Sequence, residues 1–170
     1  MEMGGTVTLR RVRAGDWRAL RRCRLRALSQ DAASFGTSLD EAGARPADHW
    51  RDLARSHCEG PDRAILLAFD AGTAVGMIRV ERETPRDLFG IYSLWVAPEA
   101  RRRGLAARLL AGAESWAALV GAGKVELFVA ADAAPARALY ERFGYRPNGR
   151  TDDDRADGLV EIGLERTLAG

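Results

Sequence analysis

The stretch Leu94-Trp95-Val96-Ala97-Pro98-Glu99-Ala100-Arg101-Arg102-Arg103-Gly104-Leu105-Ala106-Ala107 concentrates the chemistry of this sequence. An apolar run gives way to Pro98, then to three arginines and a glycine, then to helical periodicity. Such a strand-to-helix handover exposes unpaired backbone N–H groups and the positive end of the helix dipole. Cations there are electrostatically misplaced unless an anion visits, so the spacing predicts an anion site, with a pyrophosphate as the best fit. Gly104 and Ala106 lack the bulk that would hold a phosphate off the main chain. The competing reading is an arginine-rich turn left in solvent.

Other clusters carry less. Gly121-Ala122-Gly123-Lys124 resembles the end of a P-loop but runs from helix into strand, and Val125 stands where Ser or Thr is needed. His49, His57 and Cys58 show no second ligand pair, so no metal is expected and these read as surface or packing residues. Arginines crowd the first strand and helix, on the face opposite Trp17, Leu20 and Cys23, with no aromatic interleaved for base stacking. A solvated surface is expected there, and no nucleic-acid partner. Arg24 alone falls within the apolar arc, which marks it as an ion-paired core arginine, the favoured reading, or as an acceptor-site residue.

The elements that position these residues follow from periodicity and breakers. Residues 6–13 alternate as a strand, and Asp16 is placed to cap a helix running to about Ser29. A polar loop fills 30–45, and Pro46 opens a second helix to about Ser56. Strands 64–70 and 73–83 flank the turn Ala71-Gly72, and 89–96 forms a fourth strand. Leu105, Leu109, Leu110, Ala113, Trp116, Leu119 and Val120 predict a helix over 99–120. A strand at 124–131, a helix at 135–143 and a closing hairpin of 145–150 with 159–167 complete the order β-α-α-β-β-β-α-β-α-β-β. One β-α-β crossover among strands and helices predicts an α/β (α+β) fold with a mixed sheet.

The run Arg101-x-x-Gly104-x-Ala106 after Val96-Ala97-Pro98 resembles motif A of the GNAT N-acetyltransferase superfamily. The later run from Val129 through Ala138-Leu139-Tyr140 to Phe143-Gly144-Tyr145 is similar to that family's second signature, and the element order matches from 6 to 167. The resemblance implies a mostly antiparallel twisted sheet of about seven strands flanked by four helices. It implies acetyl-CoA lying where the fourth and fifth strands splay apart, as acyl donor and without a metal. The main chain of Arg101, Arg102, Arg103, Gly104, Leu105, Ala106 and Ala107 would hold its pyrophosphate, and Leu94, Trp95 and Val96 would pair with its pantetheine arm. The Val96 N–H would face the thioester oxygen, and Tyr140 would donate to the departing sulfur rather than merely pack beside Leu139 and Phe143. The implied reaction is direct acetyl transfer to a primary amine, with a small-molecule acceptor favoured over a protein N-terminus or lysine. A CoA-binding regulatory module without turnover is the rival from another class.

Three departures stand out. Histone-type members carry a Glu where this chain has Gly90, ribosomal-protein-type members a Glu where it has Phe128, and many members an Asn where it has Ala133. No general base carries over; Glu81 and Glu83 are the nearest carboxylates by topology and read as solvated strand polars. The resemblance puts the 30–45 loop and the Asp152–Asp154/Asp157 tip beside the acceptor pocket, with Phe35 and Trp50 lining or covering it. A solvated hairpin tip is favoured for the aspartates.

Composition bounds the rest. The 170 residues, 46% hydrophobic and 29% charged, suit one domain, read as 1–170, with an acceptor-side half at about 6–84, a cofactor core at about 89–145 and the hairpin 145–167. Lys124 is the only lysine among 26 basic residues, a bias expected of a GC-rich bacterial genome. Cys23 and Cys58 form no CxxC and imply no bridge. No apolar run approaches a membrane span and residues 1–5 lack signal-peptide order, so a cytoplasmic protein with no membrane partner is expected. A homodimer is left open.

Overall fold

Seven strands form from the alternating and apolar runs: β1 (Thr8–Arg11), β2 (Arg63–Asp70), β3 (Thr73–Arg82), β4 (Leu88–Val96), β5 (Lys124–Ala130), β6 (Arg146–Asp152) and β7 (Glu161–Thr167). The helices are α1 (Trp17–Gln30), α2 (Leu39–Gly43), α3 (Ala47–Cys58), α4 (Leu105–Leu119) and α5 (Ala134–Arg142). The computed structural model describes residues 6–169; residues 1–5, read above for an export signal, lie outside the described residues. One sheet runs in the order β1-β2-β3-β4-β5-β7-β6, antiparallel throughout except for the parallel pair β4–β5. That parallel step needs a long crossover, which α4 supplies.

The two sheet faces are covered differently. Glu81 of β3 meets His57 of α3, whereas a Cβ on Gly76, five residues earlier, would touch Leu109 of α4. Odd separation along a strand means opposite faces, so α1 and α3 cover one side and α4 the other. α1 buries Leu20, Cys23, Ala27 and Leu28, the arc its periodicity predicts, and α4 buries Leu105, Leu109, Leu110, Ala113 and Ala117.

Several expectations are corrected. The third long helix starts at Leu105 rather than near Glu99, because Arg102 (φ +60°) and Gly104 (φ +70°) adopt left-handed backbone. Pro98–Ala100 is a separate 3-10 turn. The 30–45 loop contains α2, making five helices rather than four, with Ser38 capping it through the Glu41 N–H. Leu119 is 86% exposed, carried off the buried face by the 3.6-residue repeat. Asp16 sits at the start of α1 without capping it; its carboxylate accepts from the Arg13 N–H and pairs with Arg10 at 2.6 Å. Other arginines expected in solvent are tied down, Arg26 to Glu99 at 2.6 Å and Arg11 to the carbonyls of His57, Gly60 and Arg63. His57 is buried against Glu81, so it packs rather than lying on the surface.

Gly90 explains one departure from the family pattern. A Cβ there would lie 2.5–2.7 Å from the Tyr92 ring and hydroxyl, which fold back over it. Tyr92 is held in that place by its hydrogen bond to Glu83 and by the Arg79 guanidinium 4.9 Å from its ring centroid. Gly90→Ala is therefore expected to cost about 1–3 kcal/mol in urea unfolding, as over-packing does. In a Tyr92→Ala background most of that penalty should vanish, and an additive double mutant would refute the account.

Candidate active site

Parallel pairing between β4 and β5 runs from Leu88–Lys124 to Ile91–Leu127 and stops. β5 stays bonded to β7 as far as Ala130, so its other edge is left open beyond Leu127. On β4 a register shift opposite Met77–Arg79 puts Ser93 at φ +57°, a bulge that bends the strand away. Between the diverging strands lies a cleft of about 590 Å³, walled by Ile91–Leu94, Leu127–Ala130, the 33–37 loop, Ala133, Ala136 and Tyr140.

The backbone at the end of β4 is arranged for a ligand. The Ala97 N–H bonds the Val75 carbonyl at 2.8 Å, so by antiparallel alternation the Val96 amide, opposite Gly76, points into the gap. The same alternation aims Leu94 at the gap and turns the Trp95 peptide towards Met77. Trp95 is thus set apart from the other two; its indole is buried and donates to Asp31 at 2.8 Å. The Val96 carbonyl is already taken by Arg101 Nε at 2.9 Å, and Arg101 also reaches Asp31 at 2.7 Å.

Beyond this anchor, the amides of Arg102, Gly104, Leu105, Ala106 and Ala107 bond no backbone carbonyl among the described residues, and intrahelical pairing outside α4 begins with Arg108 N–H to Gly104. Arg102 and Gly104 both hold left-handed backbone beside the start of α4, the kind of conformation from which anion-binding nests are built. Nothing lies within 4 Å of the space a Gly104 Cβ would fill. The main chain therefore fits a diphosphate. The arginine side chains contribute less than the sequence suggests, since Arg103 pairs with Asp70 at 2.9 Å and Arg101 with Asp31.

Tyr140 of α5 lies at the inner end of the cleft, with its ring 5.8 Å from that of Tyr145. Burial pushes its phenol up to about 12. No group among the described residues hydrogen-bonds its hydroxyl, which leaves the proton free for a ligand in the cleft.

The other wall was only partly legible. Phe35 lines the cleft as expected, but Trp50 is buried in the core and does not. Among the described residues Arg24 has no ion-pair partner, contrary to the favoured reading. It donates to Ser93 Oγ at 3.2 Å and stacks 4.5 Å from the Phe35 ring centroid. Burial, and then the like charges of Arg79 and Arg45, lower it to about 10. Glu81 and Glu83 are engaged by His57 and Tyr92 and line no part of the cleft. Arg155, which sequence reasoning missed, has a side chain only 8% exposed and grips Asp157 and Glu161. It also donates to the carbonyls of Ala33 and Phe35, so the aspartate-rich tip is pinned over the cleft instead of being loose. Its sole signal was one arginine among four aspartates. Cys23 is buried with its thiol pushed up to about 12, unsuited to forming an acyl-enzyme.

The model of the acetyltransferase (GNAT) family matches residues 25–145. The chain belongs to this family. A mycothiol acetyltransferase of Clavibacter michiganensis is 34% identical over 136 residues, covering 78% of this chain. The chain spans only 39% of the length of that relative. Among solved GNAT structures, an acetyltransferase from Streptococcus pneumoniae superimposes with a TM-score of 0.83 at 16% identity, covering 96% of this chain and 99% of that one. The spermidine N-acetyltransferase of Vibrio cholerae, solved in complex with CoA and spermine, gives 0.74 at 19% identity with 95% of both chains covered. At these identities the likeness is one of fold.

If the nest is main-chain built, Gly104→Asp should weaken CoA binding by about tenfold or more, by straining the φ +70° backbone and placing a carboxylate on the phosphate. Arg102→Ala should weaken it only by about threefold, a single exposed charge. Calorimetric titration with CoA checks both, and the opposite ranking would assign the grip to side chains.

Proposed function

We propose that this chain is an N-acetyltransferase that moves the acetyl group of acetyl-CoA to a primary amine of a small molecule, in a ternary complex. The observation that carries the reading is the conjunction of the amide nest at 102–107 with the β4–β5 divergence, on a chain of the GNAT family. Acetyl-CoA would supply a thioester already activated for attack. The amides from Arg102 to Ala107 grip its diphosphate, and Leu94 offers main-chain partners to the pantetheine arm as it runs towards Val96.

Val96 N–H then faces the thioester oxygen and stabilises negative charge as it gathers there. Tyr140 stays protonated across the physiological range, because burial raises it to about 12. Against a model thiol near ~8.5, full proton transfer to sulfur would be uphill by about 5 kcal/mol, so Tyr140 acts as a hydrogen-bond donor whose contribution grows with charge on sulfur. Cys23 is buried and Cys58 ends α3 outside the cleft lining, so neither thiol is placed for an acyl-enzyme and the amine attacks directly. The Arg155 clasp over the 33–37 loop narrows the acceptor side and favours a small molecule over a protein surface. The mycothiol and spermidine acetyltransferases, named for small molecules, support the same choice.

Thiol release from acetyl-CoA across a panel of amino acids, polyamines, aminoglycosides and peptides tests the assignment. Absence of CoA binding by calorimetry would overturn it. Tyr140→Phe is expected to lower kcat by about tenfold or more while the Kd for CoA holds. If none of the carboxylates lining the cleft, Asp132, Asp152 and Glu161, serves as a base, kcat/KM should rise tenfold per pH unit up to the pKa of the free amine. It should then stay level, with no falling limb until Tyr140 ionises near 12. A bell centred below pH 9 would reveal a base not identified above.

A further inference from the structure

The acceptor side of the cleft carries a charge arrangement that acetyl transfer itself does not require. Arg24 of α1 and Arg79 of β3 both line it. They lie close enough that the charge of Arg79 disfavours that of Arg24. Arg24 has no carboxylate partner among the described residues; its contacts are the Ser93 hydroxyl and the Phe35 ring. Arg79 reaches Glu81 only at 3.7 Å, and its Nε is buried without a hydrogen-bond partner. The remaining cationic group of the cleft, Arg155, is saturated by Asp157 and Glu161. The acidic groups that face the cleft, Asp132, Asp152 and Glu161, come from the segment after β5 and from β6 and β7, and none of them forms an ion pair with Arg24 or Arg79 among the described residues.

Two partly buried guanidiniums with donors unspent repel each other unless an anion joins them. Ser93, at the β4 bulge, adds to the cleft lining a hydroxyl that accepts from Arg24. Phe35 supplies an apolar plate beneath Arg24.

We propose that the acceptor amine carries a carboxylate, and that Arg24, Arg79 and Ser93 bind this group while its amine faces the β4–β5 gap. The inference rests on the acetyltransferase reading and names the acceptor class for the same site. It sets this chain apart from enzymes whose acceptors are purely cationic: a polyamine would place ammonium groups against Arg24 and Arg79. A forked guanidinium matches a planar carboxylate in two parallel hydrogen bonds, which a neutral amide in the same place cannot reproduce.

The test compares each of a set of amino acids with its carboxamide and its decarboxylated amine, as acceptors in the thiol-release assay at matched fractions of neutral amine. The carboxylates should show kcat/KM at least about tenfold above their amides, the worth of one charged hydrogen-bond pair. Arg24→Gln and Arg79→Gln should collapse that acid-to-amide ratio towards one, and Arg24→Lys should keep part of it. An amide or polyamine preferred by the wild-type protein, or a ratio unmoved by both Gln variants, overturns the proposal. Preference for phosphorylated amines over carboxylates, included as a third arm, overturns the choice of carboxylate as well.

A binding readout keeps this independent of turnover. N-acetylated amino acids should raise the Tm of the CoA-loaded protein, and their amides should not. Arg24→Gln and Arg79→Gln should abolish the shift. If no amine releases thiol yet this pattern holds, the acetyl-transfer reading fails and the carboxylate site stands. If thiol is released and the pattern is absent, the reverse is true.

Discussion

Backbone polar groups in a sheet demand partners, and the separation of β4 from β5 past Ile91 and Leu127 withholds them. A parallel pair that ran its full length would be more stable and would have no cleft. Here the Val96 amide at the end of β4 and those of Arg102, Gly104, Leu105, Ala106 and Ala107 bond no backbone carbonyl among the described residues, and on the proposed reading a ligand completes them. Other features of the site maintain that opening. Asp31 fastens Trp95 and Arg101 together, Arg101 holds the Val96 carbonyl, and the Ser93 bulge bends β4 out of register.

The arginines after β4 show how like charges can crowd a helix start without a bound anion. Asp31 and Asp70 partner Arg101 and Arg103, so the chain partly supplies its own counter-charge. What remains for a diphosphate is mainly the ring of N–H groups, which no side-chain substitution removes directly. A grip built from main chain would depend little on which side chains surround it.

The fold was legible because strand and helix periodicities here are strong and their breakers well placed: Pro98 stops β4 and Gly72 turns the chain where the pattern says, whereas Gly104, read as lying inside a helix, instead marks its start. The strand-to-helix handover around Gly104 was legible for the same reason, since a glycine between an apolar run and a helical period is a local fact. The acceptor wall was not. Arg24 was visible as an anomaly in an apolar arc, but its neighbours Ser93, Arg79 and Phe35 come from three other segments. Arg155 bridging to Ala33 and Phe35 spans more than 100 positions and has no periodic signature. Trp50 was misjudged because size and aromaticity mark a core residue and a pocket residue alike.

Ser93 carries a tension of its own. A non-glycine residue at φ +57° costs the folded state something, and glycine would occupy that backbone without strain. Glycine would also remove the hydroxyl that meets Arg24. Thermal robustness and acceptor choice therefore pull this one position in opposite directions, and a lineage evolving towards heat tolerance would meet the conflict here early.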